Sequence, residues 1–143
     1  MQRATAYQRD GKIFLHASSR TTAGVWILSE PICAFEPTSV PLVVKHVIDA
    51  LNGSKEKVPH PKTWKGLFDP VLQLAGVKAL NTFMKSAKCV EIEFDVDRVS
   101  FIPTKNLGVD EGFEPLGIKT RKTEFGNPES LGNYLLSAFR DTE

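Results

Sequence analysis

Residues 90–97 alternate with a period of two. Val90, Ile92, Phe94 and Val96 are apolar, and Glu91, Glu93, Asp95 and Asp97 stand between them. On a helix this order would split the acids between two opposite sides. On a strand it sends the apolar set to one face and the carboxylates to the other. The chain is therefore expected to contain a sheet with one face on a core and four carboxylates on the opposite face, neighbours roughly 7 Å apart. Val99-Ser100-Phe101-Ile102 reads as the returning strand, tightly turned near Asp97-Arg98.

The remaining chain supplies partners for that sheet. Lys12–Ala17 and Gly24–Ser29 read as strands, with Ile32–Phe35 continuing the second; Pro31 cannot donate to a ladder and marks an edge, a bulge or a break. Thr38 or Ser39 caps a helix in which Val40, Val43, Val44, Val47, Ile48 and Leu51 form one apolar stripe, stopped by Asn52-Gly53. Ser54 to Lys65 reads as a polar surface loop. Asp69-Pro70 opens a short helix that ends at Gly76, and Leu80, Phe83, Met84 and Ala87 mark another. Thr104 to Glu114 reads as a Gly-containing loop and Ile118 to Phe125 as a strand. Asn127-Pro128 starts a last helix with Leu131, Tyr134, Leu135, Ala138 and Phe139 on its buried stripe. The expected order is β-β-α-α-α-β-β-β-α. Helices and hairpins are segregated, which predicts an α+β fold built on an antiparallel-dominated sheet, as one domain over residues 1–143.

Composition excludes several classes of function. The chain is 41% hydrophobic and 24% charged, which is globular rather than disordered. Eighteen Lys and Arg against 17 Asp and Glu leave a net charge of +1, less basic than a protein living off non-specific phosphate attraction. No apolar run approaches 18 residues and no apolar segment follows Arg3, so neither a membrane span nor a secretory signal is expected. Cys33 and Cys89 form no disulfide framework, which suits a reducing compartment. The charge is unevenly spread. Residues 42–88 carry eight basic and three acidic groups, and residues 89–114 carry two basic and seven acidic. The two blocks either face each other in the fold or face partners.

Candidates for chemistry are few. His16 and His46 fall in a strand and a helix, and neither stands at a metal-ligand or base–nucleophile spacing. His60, held between Pro59 and Pro61, is the one histidine on a loop, where functional groups concentrate. Both cysteines sit in apolar strand-like runs and read as small buried hydrophobes. No Cys-x-x-Cys, Walker, Gly-x-Gly-x-x-Gly or Gly-x-Ser-x-Gly sequence occurs, and the acids around Gly108 and Gly112 would repel a phosphate. Lys55, Lys57, Lys62 and Lys65 with Trp64 are the right types for stacking on nucleic acid, although Trp64 also begins the apolar series ending at Leu74 and so reads as a core or half-core residue. The acidic strand needs cations. Lys119 and Arg121 on the later strand would supply them internally, and a basic partner would supply them externally. Strand spacing places too few carboxylate oxygens at one point for a metal.

The chain also resembles a known family. The matching residues are Thr21-Thr22-Ala23-Gly24-Val25-Trp26 with Ser29-Glu30-Pro31; Val58-Pro59-His60-Pro61 with Trp64-Lys65-Gly66-Leu67-Phe68 and Pro70-Val71-Leu72; Ala75-Gly76-Val77, Phe83-Met84-Lys85 and Ala87-Lys88-Cys89-Val90-Glu91-Ile92; and Phe101, Pro103-Thr104, Asn106-Leu107-Gly108 and Gly112-Phe113-Glu114-Pro115-Leu116. In number and order, over roughly residues 21–117, these resemble the immunity proteins of bacterial contact-dependent growth inhibition systems, the CdiI proteins. The resemblance implies a cytoplasmic, non-enzymatic protein of a Gram-negative bacterium. Such a protein binds and neutralises the C-terminal toxin domain, commonly a nuclease, of a large secreted effector. It implies no cofactor, no metal, no membrane and no nucleic-acid partner. Its shared motifs are glycines, prolines and apolar residues, so it assigns no toxin-contacting positions. The charge argument alone nominates Glu91, Glu93, Asp95 and Asp97 on the strand with Asp110, Glu111 and Glu114 in the following loop. The alternative is a nucleic-acid-binding module using the loop over residues 55–65.

Overall fold

A computed structural model describes residues 1–143. The fold is α+β. A seven-stranded antiparallel sheet has β1 (Gln2–Arg9), β2 (Lys12–Arg20), β3 (Trp26–Phe35), β4 (Lys88–Asp95), β5 (Arg98–Asn106), β6 (Phe113–Pro115) and β7 (Arg121–Glu124). The spatial order is β3-β2-β1-β4-β5, with β6 and β7 both pairing β5. The helices are α1 (Val40–Gly53), α2 (Asp69–Ala75), α3 (Leu80–Met84) and α4 (Pro128–Asp141). None is long and apolar enough to cross a membrane.

The centre of the sheet is a strand that periodicity does not announce. β1 lies between β2 and β4, with Ala4 opposite both Ala17 and Ile92. Its core-facing residues, Ala4 and Ala6, are small and fully buried. Small side chains leave room for α1 to approach but carry a weak β-signal, and Gln2–Arg9 is not among the strands expected from the sequence. The other departures are local. β5 runs on to Asn106 and Phe113–Pro115 forms a short strand, so the expected 104–114 loop shrinks to 107–112. The expected strand over 118–125 is reduced to Arg121–Glu124, preceded by a single 3-10 turn at Gly117–Lys119.

Two cores flank the sheet. α1 and α4 cover one face, where Val43, Val47, Leu51, Leu131, Leu135 and Phe139 pack on Ile13, Leu15, Val90, Ile92, Val99 and Phe101. Ser39 is the cap of α1, its hydroxyl accepting from the Leu42 N–H at 3.3 Å. α1 runs through Gly53 and is capped at Ser54, so Asn52-Gly53 is not a left-handed stop; Gly53 instead allows close packing, because a Cβ there would run into Pro31 and the Glu30 carbonyl. Pro31 itself lies on edge strand β3 within a bulge. Ala17 pairs Ser29 and His16 pairs Ile32, leaving Glu30 and Pro31 unmatched. On the other face a smaller core of Phe14, Val71, Leu72, Phe83 and Ala87 seats α2 and α3. These short helices cover only part of that face, which leaves the rest open.

A cleft on the open sheet face and the placement of the acids

The face shared with α2 and α3 is lined by the residues that alternate with the main core: Arg3, Thr5 and Tyr7 on β1, His16 and Ser18 on β2, Trp26 and Leu28 on β3, and Glu91 on β4. Trp64, Leu67 and Phe68, from the segment leading into α2, close one side and leave a cleft of about 420 Å³. That segment is held by backbone pairing to the end of β2. Arg20 N–H donates to Lys55 O at 2.8 Å, and Val58 N–H donates to Arg20 O at 3.0 Å. His60 is tied by Nδ1 to Thr21 Oγ1 at 2.9 Å and meets the Trp64 ring edge-on. Trp64 is 54% exposed, so it is a rim residue rather than the core or half-core residue its apolar spacing suggests. The four lysines around it are exposed and make no ion pair.

The cation that offsets the acidic strand is Arg3. Register places it directly across from Glu93 and diagonal to Glu91, and its Nη2 lies 3.6 Å and 3.8 Å from their carboxylates. Its guanidinium also stacks over Trp26 at 5.2 Å. Its Nε is buried with no hydrogen-bond partner. The expected pairing with Lys119 and Arg121 is not made. Lys119 lies on the 3-10 turn and binds Glu143 at 2.8 Å, and Arg121 binds Asp141 at 3.1 Å, so both hold the end of α4 instead. Sequence reasoning missed Arg3 because it missed β1. The polar alternation Arg3-x-Thr5-x-Tyr7 against Ala4 and Ala6 was the available signal.

The seven nominated acids do not form one patch. Glu91 is half-buried and accepts from Thr5 Oγ1 at 3.0 Å. Burial holds its carboxyl above the usual carboxylate range, outweighing that hydrogen bond and the Arg3 charge. Glu93 is half-buried and engaged by Arg3. Asp95 ends β4 opposite Arg98, and Asp97 lies in the connecting turn, not on the strand. Val96 shares that turn and is 91% exposed, so it is not the fourth core-facing residue that alternation suggests. Asp110 and Glu111 occupy the β5–β6 loop and Glu114 pairs Lys105. β5 separates this group from Asp95 and Asp97 by about 26 Å, given a strand rise of about 3.3 Å per residue.

The cysteines and the two histidines in the strands and α1 are shifted toward their neutral forms. Cys33 and His46, distant in sequence, come together with Sγ 3.4 Å from Nδ1 while Phe35 stacks on the imidazole at 4.1 Å. Burial raises the thiol and lowers the imidazole, which opposes the thiolate–imidazolium pair a nucleophile requires. Burial pushes the Cys89 thiol well up. His16 donates from Nδ1 to Ala17 O at 2.8 Å, and burial pushes its pKa down to about 4. No group of three or more His, Cys, Asp or Glu side chains is placed to hold a metal ion. The cleft is an aromatic and polar recess with one braced ion pair, suited to receiving a partner's side chain.

Neither a family model nor a curated protein matches the chain. Among solved structures it is similar to a protein of unknown function from Neisseria meningitidis, with a TM-score of 0.81 and 13% identity, covering 99% of this chain and 95% of that one. It is also similar to a chain of the CdiA-CT/CdiI toxin and immunity complex from Yersinia pseudotuberculosis, with a TM-score of 0.79 and 17% identity, covering 99% of this chain and 97% of that one. At these identities the likeness is one of fold, and it extends over the whole length of the chain.

Proposed function

We propose that this chain is an immunity protein that binds and neutralises the C-terminal toxin domain of a contact-dependent growth inhibition effector, protecting the cell that makes both. The observation that carries the reading is the agreement of two independent signals. The ordered motifs over residues 21–117 resemble the CdiI proteins, and the fold matches end to end a chain of a toxin and immunity complex. The neutral Cys33–His46 pair and the dispersed acids favour binding over catalysis.

Inhibition requires only that a tight complex hide the toxin's working surface. A standard interface of about 1,600 Å² suffices. Protection inside a cell calls for a dissociation constant near nanomolar, about −12 kcal/mol. A nuclease must present basic residues to its substrate, so free carboxylates on this chain would speed association. The site of action is the cytoplasm. The test is co-purification of the chain with the C-terminal domain of the effector encoded beside its gene, together with rescue of cells expressing that domain. A stable complex and restored growth are expected; free partners and dead cells overturn the reading.

A second reading rests on Trp64, exposed among four unpaired lysines: a nucleic-acid-binding loop over residues 55–65. It requires that the chain alone bind RNA with a steep salt dependence. Binding unchanged when Trp64 and Lys62 are replaced by Ala would remove it.

A further inference from the structure

We infer that the tip of the β4–β5 hairpin, Asp95-Val96-Asp97, is a docking finger whose Val96 side chain enters an apolar dimple rimmed by basic groups on the partner toxin domain. This rests on the immunity function proposed above. Val96 is 91% exposed, so no core uses its side chain. One exposed aliphatic residue is ordinary on a protein surface. This one also sits at φ +61°, in the left-handed region where a β-branched residue is a true outlier.

The molecule's other two-residue hairpin fills its positive-φ positions with residues that tolerate them, whereas in the β4–β5 turn Val96 holds the positive φ and Asp97 does not share it. β1 and β2 are joined by two residues between Arg9 and Lys12, namely Asp10 at φ +53° and Gly11 at φ +75°. β4 and β5 are also joined by two residues, between Asp95 and Arg98, yet they are Val96 and Asp97. Of the residues with positive φ in this chain, Val96 alone is apolar and larger than glycine. Both its conformation and its exposure work against the isolated fold. A contact with a partner accounts for the two together.

The chemistry of that partner follows from the flanks. Asp95 and Asp97 are exposed and neither makes an ion pair, in contrast to Glu91 and Glu93 under Arg3. Behind them Phe94 stacks on Phe125 at 4.5 Å, both half-buried, giving the finger an apolar shoulder. An aliphatic tip between two unpaired carboxylates is complementary to an apolar recess with Lys or Arg at its edge. Such an arrangement joins a desolvated anchor to a charged rim.

The experiment compares the wild type, Val96→Asn and the double variant Asp95→Asn/Asp97→Asn, each titrated by surface plasmon resonance against the C-terminal domain of the neighbouring effector. Val96→Asn is expected to raise the melting temperature by about 2–4 °C, because Asn tolerates the left-handed turn. It is also expected to weaken binding about tenfold or more, mostly through faster dissociation. The double variant is expected to slow association and flatten its salt dependence. A Val96→Asn chain that binds within twofold of a wild type that does bind overturns the finger and leaves the immunity reading standing. A Val96→Asn chain that melts lower than the wild type overturns it too, since Val96 would then serve the fold. A wild type that does not bind overturns the immunity function and the finger with it.

Discussion

Replacing Gly132 by Ala should destabilise the protein, although the same change in an exposed helix stabilises it. Gly132 lies in the first half of α4 and is buried against α1. A Cβ there would stand 2.8 Å from Val40 Cγ1, 3.0 Å from Val40 O and 3.0 Å from Val44 Cγ2. Helix propensity alone would favour Ala by about 1 kcal/mol. Overpacking a tight contact costs about 1–3 kcal/mol. One of the three walls is a backbone carbonyl, which moves only if α1 moves, so the cost falls in the upper part of that range. The net is a loss of about 1–2 kcal/mol, or about 2–8 °C in melting temperature for a chain of this size. Gly126 is the matched control. A Cβ there meets nothing within 4 Å, and its φ lies outside the left-handed region. Gly126→Ala should therefore gain about 0.4–1 kcal/mol through the unfolded state. Both variants are read by thermal unfolding followed by circular dichroism. A Gly132→Ala protein that melts higher than the wild type, as the control should, would show that α1 and α4 separate at no cost and that their close approach does not hold the helical layer together.

Phe83→Ala should cost about 3–5 kcal/mol, because the ring is fully buried and packs edge-on against Tyr7, Phe14 and Phe68, and α3 is too short to persist without it; urea denaturation at pH 7 measures the loss. His16 predicts a pH dependence. Its folded pKa of about 4 lies below the unfolded 6.5, so the unfolded state takes up the proton first. Stability is full above pH 6.5, falls between 6.5 and 4, and is lower by about 3 kcal/mol below that window. Glu91 acts oppositely, since its raised folded pKa makes the folded state take up its proton before the unfolded state does. The difference between wild type and His16→Gln, followed by denaturation from pH 7.5 to 4, isolates the histidine. Parallel curves would mean that the buried imidazole is not held neutral.

The parts of the fold legible from sequence are those in which one residue faces one environment. β4 alternates between core and open face, and α1 carries a single apolar stripe, so both follow from spacing. β1 is harder because both of its faces are covered in the middle. Ala4 and Ala6 fill the thin space under α1, Thr5 and Tyr7 are covered from the other side, and the expected contrast between apolar and charged residues fades. Losing β1 also costs the site its logic. A strand of carboxylates can be seen in a sequence, but the cation that answers it is chosen by register, and register is a property of two strands. Lys119 and Arg121 had the right charge and spacing, yet Arg3 has the right neighbour. The same holds for the Cys33–His46 contact, which needs β3 to lie beside α1 before either residue has a partner.

The placement of the acids narrows how binding should work. A carboxylate already engaged by Arg3 gains little from a second cation, since the first has offset part of its field and burial has raised the cost of its charge. Asp95 and Asp97 carry no such cost, because they are exposed and unpaired at the end of a hairpin. Asp110 and Glu111 are equally exposed but lie at the far end of β5. A partner touching both groups would have to span about 26 Å along the strand. A standard interface of about 800 Å² on each side, if round, is about 32 Å across, so such a span would use nearly the whole contact. If the chain binds a toxin domain as proposed, steering and anchoring would belong to one end of the β4–β5 hairpin rather than to the acidic strand as a whole. Charge reversal should show this directly. Asp97→Lys should slow association with the toxin domain at low salt by more than Glu91→Lys does, with both rates measured on variants that retain the wild-type circular dichroism spectrum. Equal effects at the two positions would return the acidic strand to the centre of the interface.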